Sequence, residues 1–298
     1  METSLERTTS SEIARAMVKA RIAAGSPAMD MVLTALVITD NETVGEALRT
    51  AAILSREHPA RILGIVLGDG RGAPRLDAKI RLGENTSGES VLLRMSGPLV
   101  KHADSVVLPL LLSDSPVVAW WPTNAPSDPF ADAIGRLAQR RLTDAESSSS
   151  PVRTLKATAR HYAPGDTDLT WTRLTPWRAL LAAALDQSTG KVTGGSVEFM
   201  PGNPVATLMI AWLESRLGVP ITERRGDMDQ ISKVVLHMSE GDVTIQRIDE
   251  MSCHFSVPGS APREVPLGRR TLAELLAEDL RRLDADEIYA ATLQHLLA

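Results

Sequence analysis

The run Met31-Val-Leu-Thr-Ala-Leu-Val-Ile-Thr39 constrains the fold most. It is short, apolar and rich in β-branched residues, so it reads as a strand buried on both faces. Asp40-Asn41 then starts a helix through about Glu57, and Arg61 to Leu67 is a second apolar strand. Two buried strands joined by a helix make a βαβ unit, because parallel strands need such a crossover. Upstream, Thr9 and Glu12 have capping-box spacing ahead of Ile13, Met17 and Ala20, which predicts a first helix ended by Gly25-Ser26-Pro27. Downstream, Leu76, Ala78, Ile80 and Leu82 alternate with charged residues, predicting a half-exposed strand with Glu89 to Ser96 as its neighbour. Leu99 to Leu112 reads as helical, Pro116 to Trp121 as a buried strand, and Asp128 to Arg140 as a further helix.

Glu146 to Pro151 is polar and loop-like, and Ala163-Pro-Gly-Asp-Thr-Asp168 is a stronger break. A boundary near residue 165 gives domains of 1–164 and 165–298, in keeping with roughly 150 residues per domain. The second half predicts a helix around Pro176 to Gln187, a strand over Val192 to Phe199 and a helix from Asn203 to Leu217. An antiparallel meander of Ile231–Met238, Asp242–Ile248 and Met251–Val257 follows. Thr271 with Glu274 and Asp284 with Glu287 have capping-box-like spacing, so two helices close the chain. The expected class is α/β: an N-terminal mixed-sheet, sandwich-like α/β domain, then a smaller α+β domain with a meander and C-terminal helices.

Charge narrows the functional classes. Residues 1–164 hold 19 basic and 18 acidic side chains, and residues 165–298 hold 13 and 19. Neither half has the basic excess that binding a phosphate backbone uses, so no nucleic-acid partner is expected. No apolar run approaches the ~20 residues of a membrane span. The opening METSLERTTSSE lacks the pattern of a secretory leader, and the single Cys253 excludes an intrachain disulfide. These features predict a cytoplasmic protein.

The chemical motifs fail their contexts. Gly68-Asp-Gly70-Arg-Gly72-Ala73 follows a strand but precedes Pro74 and another strand, whereas a dinucleotide loop must open a helix. A connecting loop is expected, with no bound cofactor. Gly202-Asn203-Pro204 precedes a helix whose free N–H groups suit an anion, yet Asn203 as N-cap explains the same residues. His58 ends a helix, where a capping role fits, and with Arg56 and Arg61 it offers a second anion-binding candidate. Cys253-His254 reads as a strand with a core cysteine, and the six histidines lack metal-ligand spacing. Asp166 and Asp168 fit turn chemistry. No catalytic or metal residue is predicted.

Tryptophan and arginine are more informative. Trp120-Trp121 ends a buried strand, whose adjacent residues face opposite sides; one indole is expected in the core and the other beneath a helix or at a partner. Trp171, Arg173, Trp177 and Arg178 cluster beside the expected boundary. Because Trp and Arg dominate interface hot spots, Trp121, Trp171, Arg173, Trp177 and Arg178 are the candidate partner-binding residues, with burial between domains as the alternative.

These segments also carry a family resemblance. The chain resembles the glucose-6-phosphate dehydrogenase assembly protein family (OpcA), in its actinobacterial form. The matching stretches are AGSPAM (24–29), SREHPARIL (55–63), GPLVKHADSVVLPLLLSDSPVVAWWP (97–122) and AQRRLTDA (138–145). YAPGDTDLTWTRLTPWRALLAAALDQ (162–187), GNP (202–204), LGVP (217–220) and LAELLAEDLRRLDADEIYA (272–290) continue it along nearly the whole chain. The resemblance implies a non-catalytic protein that binds glucose-6-phosphate dehydrogenase, which opens the oxidative pentose phosphate pathway, and promotes its assembly or active conformation. The NADP would then belong to the partner enzyme. The alternative is a sugar-phosphate-binding module or an enzyme of carbohydrate metabolism, drawing on His58, Arg61, Gly202 and Asn203. Cyanobacterial relatives are associated with thioredoxin-linked control through cysteines, which a single Cys253 does not support internally.

Overall fold

The computed structural model describes residues 2–24, 31–82 and 89–298. The chain forms two compact units that interleave in sequence. The first comprises Met1–Asp144, Ala163–Thr167 and Leu272–Ala285; the second comprises Ala145–Tyr162, Asp168–Thr271 and Asp286–Ala298. The stretch Leu272–Ala285 therefore belongs to the N-terminal unit, outside a linear division at 164/165.

In the first unit, β1 (Glu2–Leu5) and α1 (Ser10–Ala24) precede β2 (Leu33–Thr39), α2 (Val44–Leu54) and β3 (Ala60–Leu67). Then come the hairpin β4 (Arg75–Leu82) and β5 (Glu89–Ser96), a short helix α3 (Ala103–Val107), β6 (Val117–Trp120) and β7 (Arg140–Thr143). The eight-stranded sheet has the order β1-β4-β5-β3-β2-β6-β7-β8, with β8 at Asp166–Asp168. Strands β5, β3, β2, β6 and β7 run parallel; β4 pairs antiparallel with β5, and β1 pairs antiparallel with β4. Every residue of β2 is buried, as its uninterrupted apolar run predicts. The α1 capping box is present: Thr9 N–H donates to Glu12 Oε2 at 2.9 Å, and Glu12 N–H donates to Thr9 Oγ1 at 3.3 Å. Its inner stripe of Ile13, Met17 and Ala20 enters the core. The expected stop at Gly25-Ser26-Pro27 lies outside the described residues.

Two expectations for this unit are corrected. Leu99 to Leu112 is helical only in pieces, with α3 flanked by 3₁₀ turns at Gly97–His102 and Leu108–Leu110. Asp128 to Arg140 is not a helix. Asp128 Oδ1 accepts from Ala131 N–H, and Asp132 Oδ1 accepts from the N–H groups of Ile134 and Gly135. Such side-chain turns compete with helix propagation. Gly135 also sits so close to Pro129 that an added Cβ would lie 1.8 Å from its carbonyl oxygen. The segment leaves this turn directly into β7.

In the second unit, α4 (Pro151–Arg160), α5 (Leu169–Arg173) and α6 (Thr175–Asp186) precede β9 (Val192–Phe199), α7 (Pro204–Leu217) and β10 (Ile221–Arg225). The meander β11 (Lys233–Met238), β12 (Val243–Arg247) and β13 (Ser252–Ser256) is present and ends in β14 (Arg263–Pro266). The six-stranded order is β10-β9-β11-β12-β13-β14, antiparallel except for β10 with β9. Val197, Val234, Leu236, Val243, Ile245 and Phe255 form its inner face, where α6 and α7 pack. Burying side chains of this size stabilises by about 1.5–3 kcal/mol each. Cys253 is wholly buried, and burial raises its thiol pKa. The helices α8 (Leu272–Asp279, packed on α2 of the first unit) and α9 (Glu287–Leu297, packed on α7) complete the chain. The cap of α9 is Asp286 rather than Asp284, its Oδ1 accepting from Ile288 and Tyr289 N–H. Asp284 instead offers its carbonyl to Arg140 Nη1 at 3.2 Å.

Candidate functional site

The parallel strands of the first unit define where a ligand would bind. β3 lies on one side of β2 and β6 on the other, so the connections diverge at the C-terminal ends of β2 and β6. Open α/β sheets place nucleotides in the crevice at such a point, on a glycine-rich turn that feeds a helix N-terminus. Here that turn is Asp40-Asn41-Glu42-Thr43, without glycine. Asp40 Oδ1 accepts from Thr43 N–H at 2.8 Å, Glu42 N–H at 3.0 Å and Thr43 Oγ1–H at 2.7 Å. These bonds, led by those from Thr43, hold the Asp40 carboxyl below its usual pKa. The protein's own carboxylate thus takes two backbone donors of the turn that leads into α2, and its negative charge there disfavours an anion. The sequence signal for this site is an acidic turn directly after a buried strand, and a search for glycines passes over it. The Gly68–Ala73 segment joins β3 to β4 as a connecting loop.

The anion candidates occupy different units and are already engaged. Arg61 of β3 stands opposite Glu89 of β5 and pairs with it through Nε, while Arg61 Nη1 donates to Leu110 O at 2.7 Å. Burial lowers the Arg61 pKa against the pull of Glu89. His58 does not cap its own helix with its ring; Nε2–H donates to Ala277 O of α8 at 3.3 Å. In the second unit, Asn203 caps α7 by accepting from Ala206 N–H at 2.9 Å, and its amide donates to Asp229 O. Gly202 supplies the positive φ, +91°, of the turn before it. No group of three or more His, Cys, Asp or Glu residues among those described is arranged to hold a metal.

The tryptophan candidates are core residues of their own units. Trp120 and Trp121 are both buried, so neither indole is offered at the surface. Trp121 packs in the first unit's core, and its backbone N–H donates to Leu142 O at 2.9 Å. Trp171 and Trp177 belong to the core of the second. Trp171 Nε1–H donates to Asp286 Oδ2 at 2.8 Å and its ring lies 5.4 Å from that of Tyr289, whose edge meets Tyr162. The Arg178 guanidinium stacks 3.7 Å from the centre of the Trp171 ring, and burial lowers its pKa to about 10. Arg173 reaches the rim, where Nε pairs with Glu146 at 2.5 Å. Asp168 caps α5 through Thr170 N–H and also accepts from Ala145 N–H at 2.9 Å. Asp166 pairs with Arg141 in the first unit, and its pKa is raised mainly by burial. The Asp166–Asp168 segment is therefore structural in both units.

In the first unit, then, the parallel strands diverge at a turn that an aspartate closes. An oxidoreductase domain protein from Kribbella flavida has a similar fold, with a TM-score of 0.50 at 10% identity, covering 89% of this chain and 95% of that one. A 3-ketoreductase from Actinomadura kijaniata, solved with NADP, aligns with a TM-score of 0.49 at 11% identity, covering 89% and 94%. Likeness at this level concerns fold alone. Sequence assigns the family: residues 51–160 match the glucose-6-phosphate dehydrogenase subunit N-terminal domain, and residues 164–293 match its C-terminal domain. The chain belongs to the OpcA family of glucose-6-phosphate dehydrogenase assembly proteins. The OxPP cycle protein OpcA of Synechocystis sp. is 25% identical over 195 residues, which span 62% of this chain and 38% of that longer relative. No helix among the described residues is long and apolar enough to cross a membrane.

Proposed function

We propose that this chain is a non-catalytic, cytoplasmic assembly factor that binds glucose-6-phosphate dehydrogenase and promotes its active oligomeric state. The observation that carries the non-catalytic half is Asp40, which closes the turn at the strand divergence with a negative charge. Family membership supports the choice of partner. An activator works by contacting one state of its target more strongly than another; a tenfold preference needs about 1.4 kcal/mol of differential contact. Stabilising the assembled enzyme obeys the same arithmetic, because a partner that binds only the oligomer favours it by mass action. Sedimentation of the dehydrogenase with and without a molar excess of this chain tests the reading. A co-sedimenting complex with more of the larger dehydrogenase oligomer is expected. An unchanged profile at micromolar concentrations contradicts it.

A further inference from the structure

The outer face of the second unit's sheet carries an ordered charge pattern. Strand register places Arg224, Glu198, Lys233, Gln246, His254 and Glu264 side by side in one row across all six strands. The adjacent row on the same face is Thr222, Ser196, Val235, Thr244 and Ser256, short side chains that leave the middle flat. The residues of both rows are exposed or half-buried, so no described element of the second unit covers this face, whereas the opposite face is buried over its central strands. Arg224, Lys233 and Glu264 make no ion pair among the described residues, although opposite charges stand on neighbouring strands.

We infer that this face docks a second copy of the same chain, sheet on sheet. On reversal the row's end charges are complementary and its inner positions pair a charged side chain with a hydrogen-bonding one. A two-fold axis running along the strands between β11 and β12 sets Arg224 against Glu264, Glu198 against His254 and Lys233 against Gln246 of the other copy. The same axis sets Val235 against Thr244 and Ser196 against Ser256, short residues that permit the ~10 Å approach of packed sheets. A patch that meets itself in this way is what an isologous dimer requires. Six strands ~4.8 Å apart and about five residues long give a projected area of roughly 450 Å² per copy. The two faces together then cover on the order of 900 Å², below the ~1,200–2,000 Å² of stable interfaces and within the range of transient ones. The dimer is accordingly weak and concentration-dependent.

Sedimentation velocity of the full-length chain over ~1–200 µM tests this. The wild type should pass from monomer to dimer across that range. V235R, at the centre of the face, should remain monomeric with an unchanged thermal midpoint. R224E and E264R should each weaken association by at least ~10-fold, and the double variant R224E/E264R should recover most of it. That rescue keeps the test decisive if V235R folds poorly. A wild type that stays monomeric to 200 µM overturns the inference, as does a dimer unaffected by folded V235R. A monomeric wild type whose V235R variant loses affinity for glucose-6-phosphate dehydrogenase assigns the face to that partner and also overturns it.

Discussion

The Asp40 carboxylate accepts the backbone N–H of Thr43 at 2.8 Å and closes the turn that leads into α2 with the protein's own negative charge. In nucleotide-binding α/β folds generally, the turn after the first strand instead leaves its backbone donors to a phosphate. Asp40→Ala should lower stability by ~1 kcal/mol, the usual cost of a lost cap. Asp40→Asn should cost less at neutral pH. Because the folded-state pKa of Asp40 is depressed, its contribution is fully present above ~pH 4 and is lost as pH falls through the lowered value. Denaturant melts at pH 7 and pH 3 should show the gap between wild type and Asp40→Asn closing in acid. A gap independent of pH would deny Asp40 this role.

Glu89 is buried between two arginines, pairing with Arg61 across the strands and with Arg21 of α1 at 3.4 Å. Glu89→Ala leaves a buried guanidinium without its partner and should cost about 3–5 kcal/mol. The paired replacement Arg61→Met with Glu89→Leu should recover part of that loss, Arg21 still lacking its carboxylate. Equal destabilisation by the single and paired variants in urea titrations would show that the pair's charge is not what matters.

How much of this was legible beforehand depended on side-chain pattern. β2 and β3 announce themselves as unbroken apolar runs, and the α1 cap is visible in Thr9 and Glu12. β10 was missed because Thr222 to Arg225 are exposed at a sheet edge, with no burial to impose a period. Helix α4 was missed because the serines of residues 147–150 resemble a loop, although Pro151 is acceptable in a helix's first turn. Trp120 and Trp121 were recognisable as unusual, but composition carries no depth, and both are interior. The aspartate-closed turn became meaningful only once the strand order placed β2 at the divergence of the connections.

Cys253 is buried and its thiol is shifted toward the protonated form, so it should be chemically quiet. The native protein should resist iodoacetamide at pH 8 and become fully alkylated in denaturant, as read by mass spectrometry. Cys253→Ser should leave any effect on the dehydrogenase equal under reducing and oxidising conditions. An oxidant-dependent effect removed by this substitution would refute a purely structural cysteine.

Arg173 and Arg178 separate contact from packing. Arg173→Ala removes a partly buried side chain paired with Glu146 and should cost about 1–2 kcal/mol. Arg178→Ala uncovers the Trp171 ring and should cost about 1–2 kcal/mol. If Arg173 lies at the dehydrogenase contact, its variant should fold normally and bind at least ~10-fold more weakly in calorimetric titration. Wild-type affinity would move the contact elsewhere.

The rate of NADPH formation from glucose 6-phosphate, with dehydrogenase alone, this chain alone and both together, bears most directly on a non-catalytic activator. The chain alone should form no NADPH and show no saturable NADP binding, while the mixture should exceed the dehydrogenase alone. Turnover by the isolated chain, or a mixture no faster than the enzyme by itself, would contradict the account.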